Sequence, residues 1–184
     1  MTDTGSLKIT TPTDREIVMT RTLNAPRQLV FEAMIQPELL KRWLLGPPGW
    51  EMTDCELAGE VGGAYRWAWR HADGQTMSLH GVFREWTPPA RTVCTQVMEG
   101  VPGETLVTSV LAEQGGKTTL TTTVLYASRE AATRPSNPVW STVSLQVTTA
   151  WRNSWSCQRR DRVRKPAPDW RQKTRRRVSP WPQR

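Results

Sequence analysis

Cysteine is scarce in this 184-residue chain: Cys55, Cys94 and Cys157 are an odd number, with no tight spacing between them. That excludes a disulfide framework and a cysteine metal knuckle. The chain also has no nucleophile elbow, no phosphate-cradling glycine loop, no HExxH and no CxxC pair. The best-marked hydrolase, nucleotide-binding and zinc-protease chemistries are therefore missing, and neither a cofactor nor a metal is expected. No apolar run approaches the roughly 20 residues that cross a membrane as a helix. The polar start, Met1–Thr13, holds no apolar core of a secretory leader. A reducing, cytoplasmic setting without membrane attachment is the expectation.

Negative charge is scarce overall, since 25 Lys and Arg against 17 Asp and Glu give a formal net charge of +8. Such a balance ordinarily suggests a polyanion partner. Its distribution argues otherwise. Residues 1–130 carry 12 Lys and Arg against 15 Asp and Glu, whereas residues 131–184 carry 13 against only Asp161 and Asp169. The basicity belongs to the tail, and no nucleic-acid partner is expected for the rest.

What is present is pattern. Residues 15–25 alternate, with Ile17, Met19 and Leu23 on one face, as a half-buried strand does. Asn24-Ala25-Pro26 opens a helix, proline fitting the first turn because its missing N–H costs nothing there. Leu29, Val30, Ala33 and Met34 make its apolar stripe. Pro37 restarts the pattern, Leu39, Leu40, Trp43 and Leu44 form a second short helix, and Gly46-Pro47-Pro48-Gly49 stops it. From Trp50 to about Tyr126 the period becomes two. Tyr65, Trp67 and Trp69 alternate with Arg66, Ala68 and Arg70, and Asp73-Gly74 signals a hairpin into Met77, Leu79, Gly81 and Phe83. Thr87-Pro88-Pro89 breaks the run; Val93, Thr95 and Val97, then Leu106, Thr108 and Val110, then Leu120, Thr122, Val124 and Tyr126 mark three further strands. One strand, two short helices and five or six antiparallel strands follow. So much sheet with so little helix must curl around something or lack a cover.

The aromatic set Trp43, Tyr65, Trp67, Trp69, Phe83 and Trp86 reads either as ordinary core or as the wall of an apolar cavity. His80 reads as a polar cavity contact, a general base, or a structural or surface histidine, since imidazole titrates near neutrality. His71, beside the Asp73-Gly74 turn, reads as solvated. Arg66 and Arg70, opposite the tryptophans, read as solvent-facing charges, and Asp54, Glu56 and Glu60 as surface charge without metal-ligand spacing. Cys55 and Cys94 are expected to be small apolar side chains, and neighbours in the sheet.

The stretch from Arg15 to about Glu130 resembles bacterial proteins of the Aha-type group, related to the carboxy-terminal domain of a heat-shock ATPase activator. The residues that carry the resemblance are Arg15-Glu16-Ile17-Val18, Ala25-Pro26-Arg27-Gln28-Leu29-Val30-Phe31 and Pro37-Glu38-Leu39-Leu40-Lys41-Arg42-Trp43. Gly46-Pro47, Gly62-Gly63-Ala64-Tyr65-Arg66, His80-Gly81-Val82, Pro88-Pro89-Ala90-Arg91 and Glu113-Gln114-Gly115-Gly116-Lys117-Thr118 follow in order. Leu44 departs from the pattern, many relatives having a second tryptophan there. The resemblance implies an α+β fold of the helix-grip (START-like, SRPBCC) superfamily. In that fold a curved antiparallel sheet with two short N-terminal helices grips a long C-terminal helix, leaving a cavity between them. Residues 14–130 would be this domain, 1–13 a flexible start and 131–184 a separate basic tail.

The tail does not offer the long helix. Pro135 and Pro138 precede the strand-like run Ser141–Thr149, and five of the ten tryptophans fall in the last 54 residues. A change of reading frame accounts for this. If each new codon takes the last base of one codon and the first two of the next, codons beginning with T place T in the middle. Middle-T codons encode only apolar residues. Ser136, Trp140, Ser144, Trp151, Ser154 and Trp155 are then spaced by 4, 4, 7, 3 and 1 residues, which is helical. The shifted translation resembles the family's closing helix, so the chain is expected to lack that helix. The other reading is a genuine basic or disordered extension.

The expected function is non-catalytic binding of a small apolar or amphipathic molecule. The alternatives are a co-chaperone-like module acting through its surface on a chaperone, and a cyclase- or hydratase-like enzyme. Trp43, Tyr65, Trp67, Trp69, His80 and Phe83 are the candidate cavity residues.

Overall fold

A computed structural model describes residues 7–133. Eight strands form one antiparallel sheet in the order β1-β2-β8-β7-β6-β5-β4-β3, curved and unclosed. They are β1 (Lys8–Thr10), β2 (Glu16–Leu23), β3 (Trp50–Leu57), β4 (Ala64–His71), β5 (Thr76–Thr87), β6 (Arg91–Met98), β7 (Glu104–Gln114) and β8 (Lys117–Tyr126). Helices α1 (Arg27–Ile35) and α2 (Pro37–Trp43) connect β2 to β3, the far edge, so the chain crosses the sheet between them. A short α3 (Arg129–Thr133) follows β8. The α+β helix-grip architecture expected from the sequence is the architecture observed.

The helices lie on the inner face because their apolar stripes have only that face to bury against. Val30, Phe31 and Ala33 of α1 and Leu40 and Trp43 of α2 are buried, in one cluster with Tyr65, Trp69, Leu79, Phe83 and Leu111. The entry to α1 is pinned from β8: the fully buried Thr118 hydroxyl donates to the Ala25 carbonyl at 2.7 Å. Glu113 accepts from the Arg27 N–H at 2.8 Å, a carboxylate at the positive end of the helix. Gly74 takes a positive φ of 93° in the Asp73-Gly74 hairpin turn, as that turn chemistry requires.

Two irregularities shape the sheet. Register shifts between Met52 and Asp54 on β3 and between Phe83 and Glu85 on β5 act as bulges, which bend and twist a strand. The second bulge also re-aims side chains. Phe83 and Trp86 are three residues apart, yet both face inward because the extra residue restores the phase.

Several expectations need correction. Lys8–Thr10, placed in a flexible start, pairs with Val18–Thr20 as an edge strand, a Lys-Ile-Thr run suited to completing the exposed edge of β2. On β7 the inward residues are Val107, Ser109 and Leu111, the set that alternates with the Leu106, Thr108 and Val110 by which the sequence marks the strand. This strand has apolar residues on both faces, so alternation alone left its phase open. On β6 the cavity side is Thr92, Cys94 and Gln96, while Val93 and Thr95 are buried on the other face. Cys55 and Cys94 are not neighbours, since β4 and β5 separate their strands. The tail, the closing helix, Cys157 and the proposed frame change lie outside the described residues.

Candidate functional site

The curvature leaves a cavity of about 170 Å³ between α1, α2 and the inner face. One side of it is aromatic. Phe31, Trp86, Phe83, Tyr65 and Trp67 form an unbroken chain of ring contacts, with centroids 5.6, 4.6, 5.4 and 4.9 Å apart in that order. The two contacts of Trp86 are edge-on, at interplanar angles of 63° and 71°, a preferred geometry for aromatic pairs.

The polar atoms of these rings divide them into two kinds. The Trp43 Nε1 donates to the Ala33 carbonyl and the Trp69 Nε1 to the Leu44 carbonyl, each at 2.9 Å. The Trp43 indole ties α2 to α1, and the Trp69 indole ties the end of α2 to β4 of the sheet. The Tyr65 hydroxyl donates to the Thr95 carbonyl at 2.9 Å, which needs Gly81 in between. A Cβ at Gly81 would stand 1.8 Å from that same oxygen and 2.9 Å from the Tyr65 ring. By contrast, the buried Nε1 atoms of Trp67 and Trp86 have no acceptor among the described residues. A buried donor left unpaired costs roughly 1–3 kcal/mol.

The other side of the cavity is polar. Register aligns Met19, Thr122, Ser109, Thr92 and Trp86 across β2, β8, β7, β6 and β5. The Ser109 and Thr122 hydroxyls lie 3.5 Å apart. Arg21 follows Met19 on the inner face of β2, only 4% exposed, and Gln96 is buried at the far end of β6. Among the described residues lining the cavity Arg21 is the only charged one, and none is Asp or Glu.

Trp43, Tyr65, Trp67, Trp69 and Phe83 thus converge on one cavity, and His80 does not. His80 is exposed on the outer face of β5, opposite Arg66 and Val97, one residue out of phase with the inward Leu79. Arg21, Thr92, Cys94, Gln96, Ser109 and Thr122 were not anticipated. For Arg21 a signal existed: it sits between Met19 and Leu23 on an otherwise apolar face. Burial pushes the Cys94 and Cys55 thiols up to about 11, so both stay protonated at neutral pH and pack as small apolar groups. Burial likewise raises the Tyr65 phenol. Outside the cavity, Arg66 pairs with Asp54 across β3 and β4, and His71 with Asp73 at 2.8 Å in the hairpin turn. Among the described residues no group of three or more His, Cys, Asp or Glu is placed to hold a metal ion. None of the helices there is long and apolar enough to cross a membrane.

A curved, open antiparallel sheet holding short helices over an inner cavity defines the chain as an SRPBCC-type helix-grip domain. The chain belongs to the family described as activator of Hsp90 ATPase homolog 1-like proteins, whose model matches residues 24–155. It is similar to a crystal structure of a protein from Rhodobacter sphaeroides, at 28% identity over 83% of this chain and 99% of that one, with a TM-score of 0.74. A Chromobacterium violaceum protein is 27% identical over 73% and 95%, with a TM-score of 0.60. An AHSA1-like protein from Aeromonas hydrophila, 19% identical over 75% and 94% with a TM-score of 0.59, shares the fold. No curated protein matches the chain.

Proposed function

We propose that this is a non-catalytic domain that binds a small apolar or amphipathic molecule in the cavity under α1 and α2. The observation that carries the reading is the contrast among the four cavity tryptophans. Trp43 and Trp69 spend their N–H groups on backbone carbonyls, whereas the buried Nε1 atoms of Trp67 and Trp86, both cavity-lining residues, have no acceptor among the described residues. A mostly apolar concavity with a few convergent polar groups is the usual form of a small-molecule site. The test is saturable binding of a neutral hydrophobic fluorescent probe, displaced by single-ring or short-chain apolar molecules. The cavity-filling substitution Cys94→Phe is expected to weaken probe binding at least tenfold. Unchanged probe binding by a folded Cys94→Phe protein would place the probe elsewhere and defeat the reading.

A second reading rests on the family's description, which names an activator of the Hsp90 ATPase. In it the domain contacts a chaperone through its outer surface. Stimulation of a chaperone ATPase, insensitive to Cys94→Phe, would favour it over the cavity reading.

A further inference from the structure

We infer that the molecule this cavity takes is a small uncharged carboxamide, its amide paired with the Gln96 side chain in two N–H···O bonds. Its apolar body would lie over Cys94, between Phe83 and Val107. The inference rests on the cavity-binding reading above and goes further, to the chemistry of the ligand's polar end.

Gln96 is the first argument. It faces inward on β6, lines the cavity and is only 6% exposed. The polar groups around it are already engaged. The Thr105 hydroxyl, opposite on β7, donates to the Gln96 main-chain carbonyl at 3.3 Å. The Tyr65 hydroxyl donates to the Thr95 carbonyl and accepts from the Cys94 thiol at 3.8 Å. Among the described residues no hydrogen bond reaches the Gln96 carboxamide. An amide buried in that state is costly, and a partner entering the cavity removes the cost.

Complementarity is the second argument. A carboxamide presents a carbonyl acceptor beside an N–H donor, whichever way the amide is turned. A carboxylate offers only acceptors and an ammonium only donors, so each leaves half of Gln96 unmatched. A primary amide or a lactam matches both halves at once. The Cys94 thiol, two residues along the strand, is pushed up to about 11 by burial and stays neutral at pH 7. Arg21 already has a partner of its own. Size is the third. Register sets Cys94 between Phe83 on β5 and Val107 on β7, all three lining the cavity. Both flanking side chains are buried and apolar, a floor for one ring. The volume of about 170 Å³ is close to that of an engineered cavity of about 150 Å³ that takes benzene.

The test compares three ligands of one shape on the full chain by isothermal titration at pH 7.5. They are benzamide, acetophenone, which lacks the donor, and benzoate, which lacks the donor and carries a charge. The Kd for benzamide is expected to lie at least tenfold below the other two, because an analogue without the donor leaves a buried acceptor unpaired. In Gln96→Leu, checked for folding by circular dichroism, benzamide and acetophenone are expected to bind within twofold of each other. A smaller margin over acetophenone in the unaltered chain overturns the inference while leaving the cavity reading intact. Benzoate binding as tightly as benzamide overturns it in favour of an anionic ligand. A benzamide preference that survives Gln96→Leu overturns it as well. Binding of none of the three overturns it too, and displacement of the hydrophobic probe then decides the cavity reading by itself. Should Gln96→Leu fail to fold, Gln96→Met takes its place with the same expected result.

Discussion

The two sides of the concave face are built from opposite materials. Toward β4, β5 and the helices, large rings pack at contact distance, and Trp43, Tyr65 and Trp69 satisfy their polar atoms on backbone carbonyls. Toward β2, β6, β7 and β8, the same inner face carries Arg21, Thr92, Gln96, Ser109 and Thr122, all buried or half-buried. Burying polar groups is costly unless they are hydrogen-bonded, and a domain selected only for stability would place aliphatic residues there. Under the proposed function the aromatic side is mainly structure, with Trp67 and Trp86 as its points of contact with a ligand. The polar side adds groups that a ligand's polar end would meet.

Substitutions can break or sharpen that contrast. The largest effect is expected for Trp69→Ala, which empties a site 1% exposed and frees the Leu44 carbonyl. The loss is about 3–5 kcal/mol, read from the chemical-denaturation midpoint. A loss under about 1 kcal/mol would mean that the aromatic side is not a packed core. Next comes Thr118→Val, which strands the buried Ala25 carbonyl at the start of α1 and costs about 1–3 kcal/mol. Tyr65→Phe removes the bond to Thr95 and the weak one accepted from the Cys94 thiol, and is expected to cost about 1 kcal/mol. The double change Ser109→Ala and Thr122→Val removes both members of a polar pair and is expected to be close to neutral for stability, while weakening the hydrophobic probe. A stability loss as large as that of Trp69→Ala would abolish the distinction between the two sides.

A last, smaller effect is pH-dependent. Burial raises the Cys94 thiol from an ordinary 9.0 to about 11, so folding favours the protonated form. Its contribution is complete below pH 9 and lost as pH rises through about 11. Reaction of Cys94 with a disulfide reagent, in a Cys55→Ser, Cys157→Ser background, is expected to be slow at pH 8 and to rise above pH 10. Fast reaction at pH 8 would show an open, solvated thiol instead.

The fold was legible because local signals agreed. Asn24-Ala25-Pro26, Gly46-Pro47, Asp73-Gly74 and Thr87-Pro88 each mark a change of element, and the structure turns at each. The site was half legible. The rings of β4 announce an inner face through strict alternation, but on β7 the pairs Leu106-Val107 and Val110-Leu111 support either phase. The β5 bulge, which puts Phe83 and Trp86 together, has no local signature in a run of twelve strand residues. Arg21 was passed over because a buried arginine contradicts the pattern around it. The reading of residues 131–184 as out of frame is a proposal about the gene; a one- or two-base insertion or deletion near the codons for Glu130 and Ala131 is expected. An independently confirmed, uninterrupted frame there would contradict it.

The most direct test of the cavity proposal follows the indole N–H resonances of the four cavity tryptophans during a titration with a short-chain apolar alcohol, each assigned by its Trp→Phe variant. The account predicts that the Trp67 and Trp86 signals move as they gain an acceptor, while those of Trp43 and Trp69, bonded to Ala33 and Leu44, hold still. Movement of Trp43 and Trp69 with Trp67 and Trp86 unmoved, or no response from any of the four, would contradict it.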